Sequence, residues 1–144
     1  MNIVGDATKA RFIATFLDNL IAIALTFLAV AIVPPTLPIL KGVVLVIVYL
    51  GYFAILEGIW SKTLGKYMQG LVVRKLDGSL CDWKAALIRT VLRVLEVNPI
   101  LFGAVPAGIA VISTERKQRM GDVLAGTVVV SDKLAWTKED LERI

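Results

Sequence analysis

Asp18 stands seven residues into an apolar run that is otherwise long enough to cross a membrane. The run is Phe12 to Val33, 22 residues interrupted only by Asp18, Asn19 and two threonines. A carboxylate at the centre of a membrane helix costs about 2.5 to 3.5 kcal/mol on insertion scales, so it needs a partner or a purpose. Arg11, seven residues earlier, falls two helical turns back on the same face and is the expected partner. Four further charged residues fall in or beside apolar segments: Glu57 near the end of a second apolar run, and Arg89, Arg93 and Glu96 at i, i+4 and i+7 on one helical face. These six groups, three positive and three negative, are expected to gather in the cytoplasmic half of the membrane or at its edge. Two chemistries are open to them. One is a structural network, for which arginine is well suited because its planar fork binds carboxylates through paired hydrogen bonds and stays charged. The other is an ion or proton site, in which Asp18 or Glu57 exchanges Arg11 or Arg89 for a monovalent cation or a proton. The equal count of signs favours the structural network.

The elements that must position these residues follow from hydropathy and punctuation. Residues 1–10 are a polar lead, in which Asp6 or Thr8 is expected to cap a first helix over about 11–33. Pro34, Pro35 and Pro38 form a stiff turn, and a second helix covers about 39–60, ending at Trp60 as an interfacial anchor. Leu71 to Leu76 followed by Asp77-Gly78 reads as a strand entering a hairpin turn, so 61–82 is a cytoplasmic hairpin region. Trp83 to Glu96 is an amphipathic helix broken by Asn98-Pro99, and Ile100 to Ser113 is a second apolar stretch too short for a full span. Thr127 to Val130 reads as a strand able to pair with 71–76. Thr137 and Asp140 are spaced as a capping box in a charged tail, 132–144, after a membrane domain of 1–131. The fold class expected is an all-α membrane protein: two transmembrane helices, a short bent or re-entrant helical hairpin over 83–113, and a small cytoplasmic β-hairpin or strand element.

Composition supports a membrane protein. Hydrophobic residues make up 57% and charged residues 19% of the 144, and the mean hydropathy is +0.76. The formal charge of +4 would raise nucleic-acid binding in a soluble chain, but the 16 Lys and Arg residues fall mainly in loops, so nucleic acid is not an expected partner. The 61–84 loop and the 114–144 tail carry most of them and the proline turn only Lys41. The positive-inside rule therefore places both termini in the cytoplasm of a multi-pass protein. That requires an even number of crossings. The first apolar run reads as a retained helix rather than a signal peptide. With no histidine and one cysteine, Cys81, histidine-based metal sites and triads and an internal disulfide are excluded. Gly65 and Gly70 flank a lysine without matching a phosphate-binding loop. No cofactor, no metal and no enzymatic activity are expected. Gly51, Ala54 and Gly58, and the pairs Gly103/Ala107 and Ala104/Gly108, recur at spacings that let helices approach closely. Besides membrane lipids, the expected partners are therefore further copies of the chain or other membrane subunits, with a monovalent cation as the alternative.

One ordered set of residues carries a resemblance. Ala10-Arg11-Phe12-Ile13-Ala14 opens the first helix, Leu17-Asp18-Asn19 lies within it, and Arg119-Met120-Gly121-Asp122-Val123-Leu124-Ala125-Gly126-Thr127 comes near the end. Thr63-Leu64-Gly65-Lys66, Gly70-Leu71-Val72-Val73 and Ala86-Leu87-Ile88-Arg89 lie between. Over about 9–131 the chain resembles the RDD family of small prokaryotic membrane proteins, named for one arginine and two aspartates, here Arg11, Asp18 and Asp122. The resemblance implies a polytopic inner-membrane protein loosely linked to transport, some members being described as sodium–proton antiporters. Asp122 is expected just outside the membrane, capping a turn or pairing with Arg116 or Arg119.

Overall fold

The computed structural model describes residues 3–96, 118–133 and 137–142, with side chains over 9–94, 118–133 and 137–141. It is mostly helical. α1 (Ile3–Ile32) begins before the expected start, so Asp6 and Thr8 lie within its opening turns instead of capping it. Nothing between Ile3 and Arg11 breaks a helix beyond Gly5, and Ala7, Lys9 and Ala10 are strong helix formers. Pro34 and Pro35 end it, and Leu37 N–H closes the turn on the Pro34 carbonyl at 3.1 Å. α2 (Pro38–Trp60) starts on a proline, at the position where a missing N–H costs nothing. The two helices pack antiparallel through Ala22, Tyr52 and Phe53. Lys9–Ile32 and Pro38–Trp60 are both long and apolar enough to cross a membrane, and only 22% and 11% of their apolar windows are buried within the protein. The helix of a soluble core would be mostly covered. Here Phe27, Leu28, Ile32, Ile39 and Ile47 point outward, a surface that suits lipid.

At the far end of α2 the chain turns sharply. Ser61 adopts a left-handed conformation (φ 55°) and donates its N–H to the Glu57 carbonyl at 3.0 Å. Its own carbonyl accepts Val73 N–H at 2.7 Å, which ties the turn to the sheet. α3 (Leu64–Met68) then lies against α1. β1 (Leu71–Lys75) follows. The Asp77-Gly78 turn forms as expected, with Gly78 at φ 89°, but the returning chain makes a single bridge, Arg74 with Leu80. The partner of β1 is instead β2 (Thr127–Ser131), antiparallel, with Leu71 opposite Ser131 and Lys75 opposite Thr127. The reason is composition: Val128, Val129 and Val130 fill both faces of a strand, whereas Ser79-Leu80-Cys81-Asp82 has no β-branched residue. Leu71, Val73 and Val129 pack with Ala14, Ala85 and Ala86, while Val72, Val128 and Val130 pack with Leu141. Leu141 belongs to α6 (Lys138–Glu142), whose Thr137–Asp140 capping box forms reciprocally, with Thr137 N–H to Asp140 at 3.0 Å and Asp140 N–H to the Thr137 hydroxyl at 3.3 Å.

α4 (Trp83–Glu96) has the expected extent but an inverted sense of amphipathicity. Ala85, Ala86, Arg89, Thr90 and Arg93 face inward, and Trp83, Leu87, Val91 and Val94 face out. A polar stripe turned to the interior and an apolar one turned outward is the arrangement a low-dielectric surround selects. Short α5 (Met120–Leu124) packs on α4 and leads into β2. The rest of the expected 83–113 hairpin, with Pro106 and the small-residue pairs at 103–108, lies outside the described residues, as does the side chain of Glu96.

Gly65 sets how closely α3 approaches α1. A Cβ there would strike the Ala14 carbonyl and sit 2.8 Å from Asp18 Cγ. Gly65→Ala is therefore expected to lower stability by about 1–3 kcal/mol, the usual cost of overpacking. Gly51→Ala, where the nearest atom is Ile55 Cδ1 at 3.9 Å, is expected to be neutral or better. Thermal unfolding of the two variants in detergent checks the difference.

Candidate functional site: a buried charge network

Seven side chains of the charged types are buried among the described residues: Arg11, Asp18, Glu57, Lys66, Arg89, Arg93 and Asp122. Glu57, one turn from the end of α2, is met from two elements. Lys66 of α3 donates to Oε1. Arg89 of α4 donates Nε to Oε2 at 2.7 Å, with Nη2 at 3.5 Å from Oε1. Arg89 then continues to Asp122, donating Nη1 to Oδ1, and the same nitrogen reaches the Thr127 hydroxyl at 2.8 Å. Asp122 Oδ2 accepts Arg11 Nη2 at 2.7 Å and the Arg119 backbone N–H at 3.2 Å. The result is a chain of alternating charge, Lys66–Glu57–Arg89–Asp122–Arg11, that joins α3, α2, α4, α5 and α1.

The expected Arg11–Asp18 pair does not form. Seven residues of helix separate the two by about 10 Å along the axis. Side chains also lean toward a helix N-terminus, so Arg11 leans away from Asp18. Arg11 reaches Asp122 instead. Asp18 is held by neutral donors: Tyr52 hydroxyl at 2.8 Å and Gly65 N–H at 2.7 Å on Oδ1, and the Thr63 hydroxyl on Oδ2. Thr63 precedes the first residue of α3 but spends its hydroxyl on Asp18 rather than on its own helix. The run Thr63-Leu64-Gly65-Lys66 thus has three separate tasks. Thr63 and Gly65 bind Asp18, Gly65 also permits the close approach, and Lys66 binds Glu57. Asn19, next to Asp18, accepts the Tyr49 hydroxyl at 2.7 Å, so α2 contributes two tyrosines to this level of α1.

Burial and neighbouring charge act against each other outside the spans. Burial lowers the Lys66 ammonium from its ordinary value, and Glu57 opposes that. For Asp122 burial would raise the carboxyl, but Arg89 and Arg11 outweigh it and hold it below the usual range. Arg89 is raised in spite of burial because Asp122 and Glu57 both favour its charge. Burial pushes the Cys81 thiol up to about 11, so it is a poor nucleophile at neutral pH.

The residues singled out from sequence are thus divided. Arg11, Glu57, Arg89 and Asp122 are joined directly. Arg93 approaches Glu57 at 3.9 Å and lies over the Phe53 ring at 3.7 Å. Asp18 is adjacent but separately held, and the Glu96 side chain is not described. Asp122 is buried, and it does cap α5 through the Arg119 N–H, while the Arg119 guanidinium turns to Thr15 Oγ1 at 2.5 Å. Sequence reasoning names Thr63 and Lys66 only within the resemblance and gives them no partner, and it gives Tyr52 no role. The place of Lys66 three residues after Thr63 and directly after Gly65, at the start of a short helix, is the usable signal.

A sequence model of the RDD family matches residues 7–126. The "Uncharacterized membrane protein YteJ" of Bacillus subtilis (strain 168) is 36% identical over 95 residues, which are 65% of this chain and 54% of that protein. The chain therefore spans about half the length of this curated relative. No solved structure matches. The match covers all three residues that carry the resemblance, Arg11 and Asp122 in one ion pair and Asp18 in its cage of neutral donors, and the chain belongs to the RDD family.

Proposed function

We propose that this RDD-family membrane protein is a non-enzymatic, multi-pass scaffold or accessory subunit of a prokaryotic cytoplasmic membrane. It works as an oligomer or within a larger membrane complex, and both termini are cytoplasmic. The observation that carries the reading is the saturation of Glu57 and Asp122. Glu57 is held by Lys66 and Arg89, and Asp122 by two arginines and a backbone N–H. Releasing either carboxylate to a mobile ion would leave buried cations uncompensated, which typically costs 3–5 kcal/mol for a broken buried pair. The loop charges support the orientation: the network and the sheet lie at the end of α1 and α2 remote from the proline turn, together with most of the lysines and arginines. The lipid-facing α1 and α2, with Gly42 and Gly51 open to approach, leave room for a second copy or another subunit.

A second reading, monovalent cation–proton exchange, is favoured by one observation: Asp18 is a buried carboxylate with no ion pair among the described residues. Its three contacts all donate and so suit a carboxylate, and two of them, the Tyr52 and Thr63 hydroxyls, carry oxygens that a monovalent cation could use.

Two experiments discriminate. Asp18→Asn turns one acceptor oxygen into a donor that faces Thr63 or Gly65. Under the scaffold reading it is expected to lower stability by about 1–3 kcal/mol, while purified wild type moves no protons across proteoliposomes under sodium, potassium or lithium gradients. Cation-dependent proton flux in wild type, lost in a well-folded Asp18→Asn, would establish the exchanger. The second experiment is a cycle on Arg11→Gln and Asp122→Asn. Each single change is expected to destabilise and the double to cost clearly less than the sum, because both changes break the same ion pair. Acid unfolding supplies a check on sign. Asp122 titrates below its ordinary value in the folded protein, so its contribution is complete above about pH 4 and lost as pH falls through the depressed value. Asp122→Asn is expected to lack that portion of the acid loss.

A further inference from the structure

Arg93 is the cation the network holds most loosely. Glu57 Oε2 is taken by Arg89 Nε, and Oε1 by Lys66, so Arg93 Nη2 stops at 3.9 Å, outside hydrogen-bond range. Its guanidinium lies on Phe53, one turn farther along α2 from Trp60 than Glu57 is. Nη1 is buried and has no hydrogen-bond partner among the described residues. Thr90, one turn earlier on the same inward face of α4, also has a buried hydroxyl without a partner among the described residues. Two orphaned donors one turn apart are unusual, since buried polar groups are nearly always satisfied.

We propose that Arg93 and Thr90 form a binding site for one oxyanion of the phosphate class, outside the Glu57–Arg89–Asp122 chain. A guanidinium N–H and a hydroxyl on the same face present two donors to one acceptor group, and the arginine fork matches phosphate geometry. A phospholipid headgroup is one source, because an arginine near the end of a span reaches the level where headgroups lie. Free phosphate is the other source. The site adds a ligand to the scaffold and does not depend on whether the protein also moves ions.

The test uses the full chain in a neutral detergent, titrated with dioleoylphosphatidylglycerol, with dioleoylglycerol (the same chains without phosphate) and with sodium phosphate. The unfolding midpoint and native mass spectrometry are the readouts. Phosphatidylglycerol is expected to raise the midpoint and remain bound one to one, and dioleoylglycerol to do neither. A matching response to sodium phosphate would identify a free oxyanion as sufficient, and its absence would identify the lipid. Arg93→Gln is expected to weaken binding at least about tenfold and Thr90→Val several-fold, as for a lost charge-assisted and a lost neutral hydrogen bond. Should Arg93→Gln fail to fold, Thr90→Val decides alone. Equal binding of dioleoylglycerol, no binding of either phosphate source, or affinity unchanged in Thr90→Val overturns the proposal.

Discussion

Arg89 places one guanidinium between two carboxylates that come from opposite directions in the chain, Glu57 on α2 and Asp122 on α5. Most of the structure at this end of the molecule depends on that arrangement. α4 has little apolar surface to bury inward beyond Ala85 and Ala86, and its larger apolar residues point out. Its inward face is held by hydrogen bonds and charge. Each group is neutralised by its neighbour, and Thr127 fills a remaining donor position on Arg89. Because Thr127 opens β2, the network also fixes where the sheet begins relative to the helices.

The second constraint is steric. α3 lies on α1 because Gly65 brings its backbone to Ala14 and Asp18. From that position Thr63 and the Gly65 N–H reach Asp18 while Lys66 reaches Glu57. Asp18 and the charge network are therefore two sites held by one short helix. An Asp18 side chain without a cation and a Glu57 side chain with several are both consequences of where α3 docks. This division explains how the chain tolerates a carboxylate deep in its first apolar run without a neighbouring arginine: three neutral donors, at hydrogen-bonding distance and excluded from solvent, replace its hydration.

Much of the fold was legible in the sequence. The two apolar runs, the proline turn, the extent of α4 and the Thr137–Asp140 box follow from hydropathy, fixed-φ residues and cap chemistry, all local signals. The pairing of β1 with β2 was legible as a possibility, because Val128 to Val130 read as a strand, but the Asp77-Gly78 turn pointed with equal force to a local hairpin. The charge partners were least legible. Periodicity places Arg11 and Asp18 on one face, yet lean and rise along the helix keep them apart. Arg11 finds Asp122, 111 residues away, through the tertiary packing of α1 against β2 and α4 against α5. The partner of Lys66 is not legible, because a lysine in a polar loop and a lysine at the start of an interior helix look alike until the helix is placed.

The bridging role of Arg89 is tested most directly by Arg89→Lys, measured by thermal unfolding of the purified protein in detergent. Lysine keeps the charge and loses the planar fork, so a single ammonium cannot serve Glu57, Asp122 and Thr127 together. The variant is expected to lose about 2–3 kcal/mol, roughly the worth of one or two hydrogen bonds to charged groups, and its midpoint should fall accordingly. A midpoint equal to wild type would show that charge alone suffices at this position and that the bridge between α2 and α5 is not what holds α4 in place.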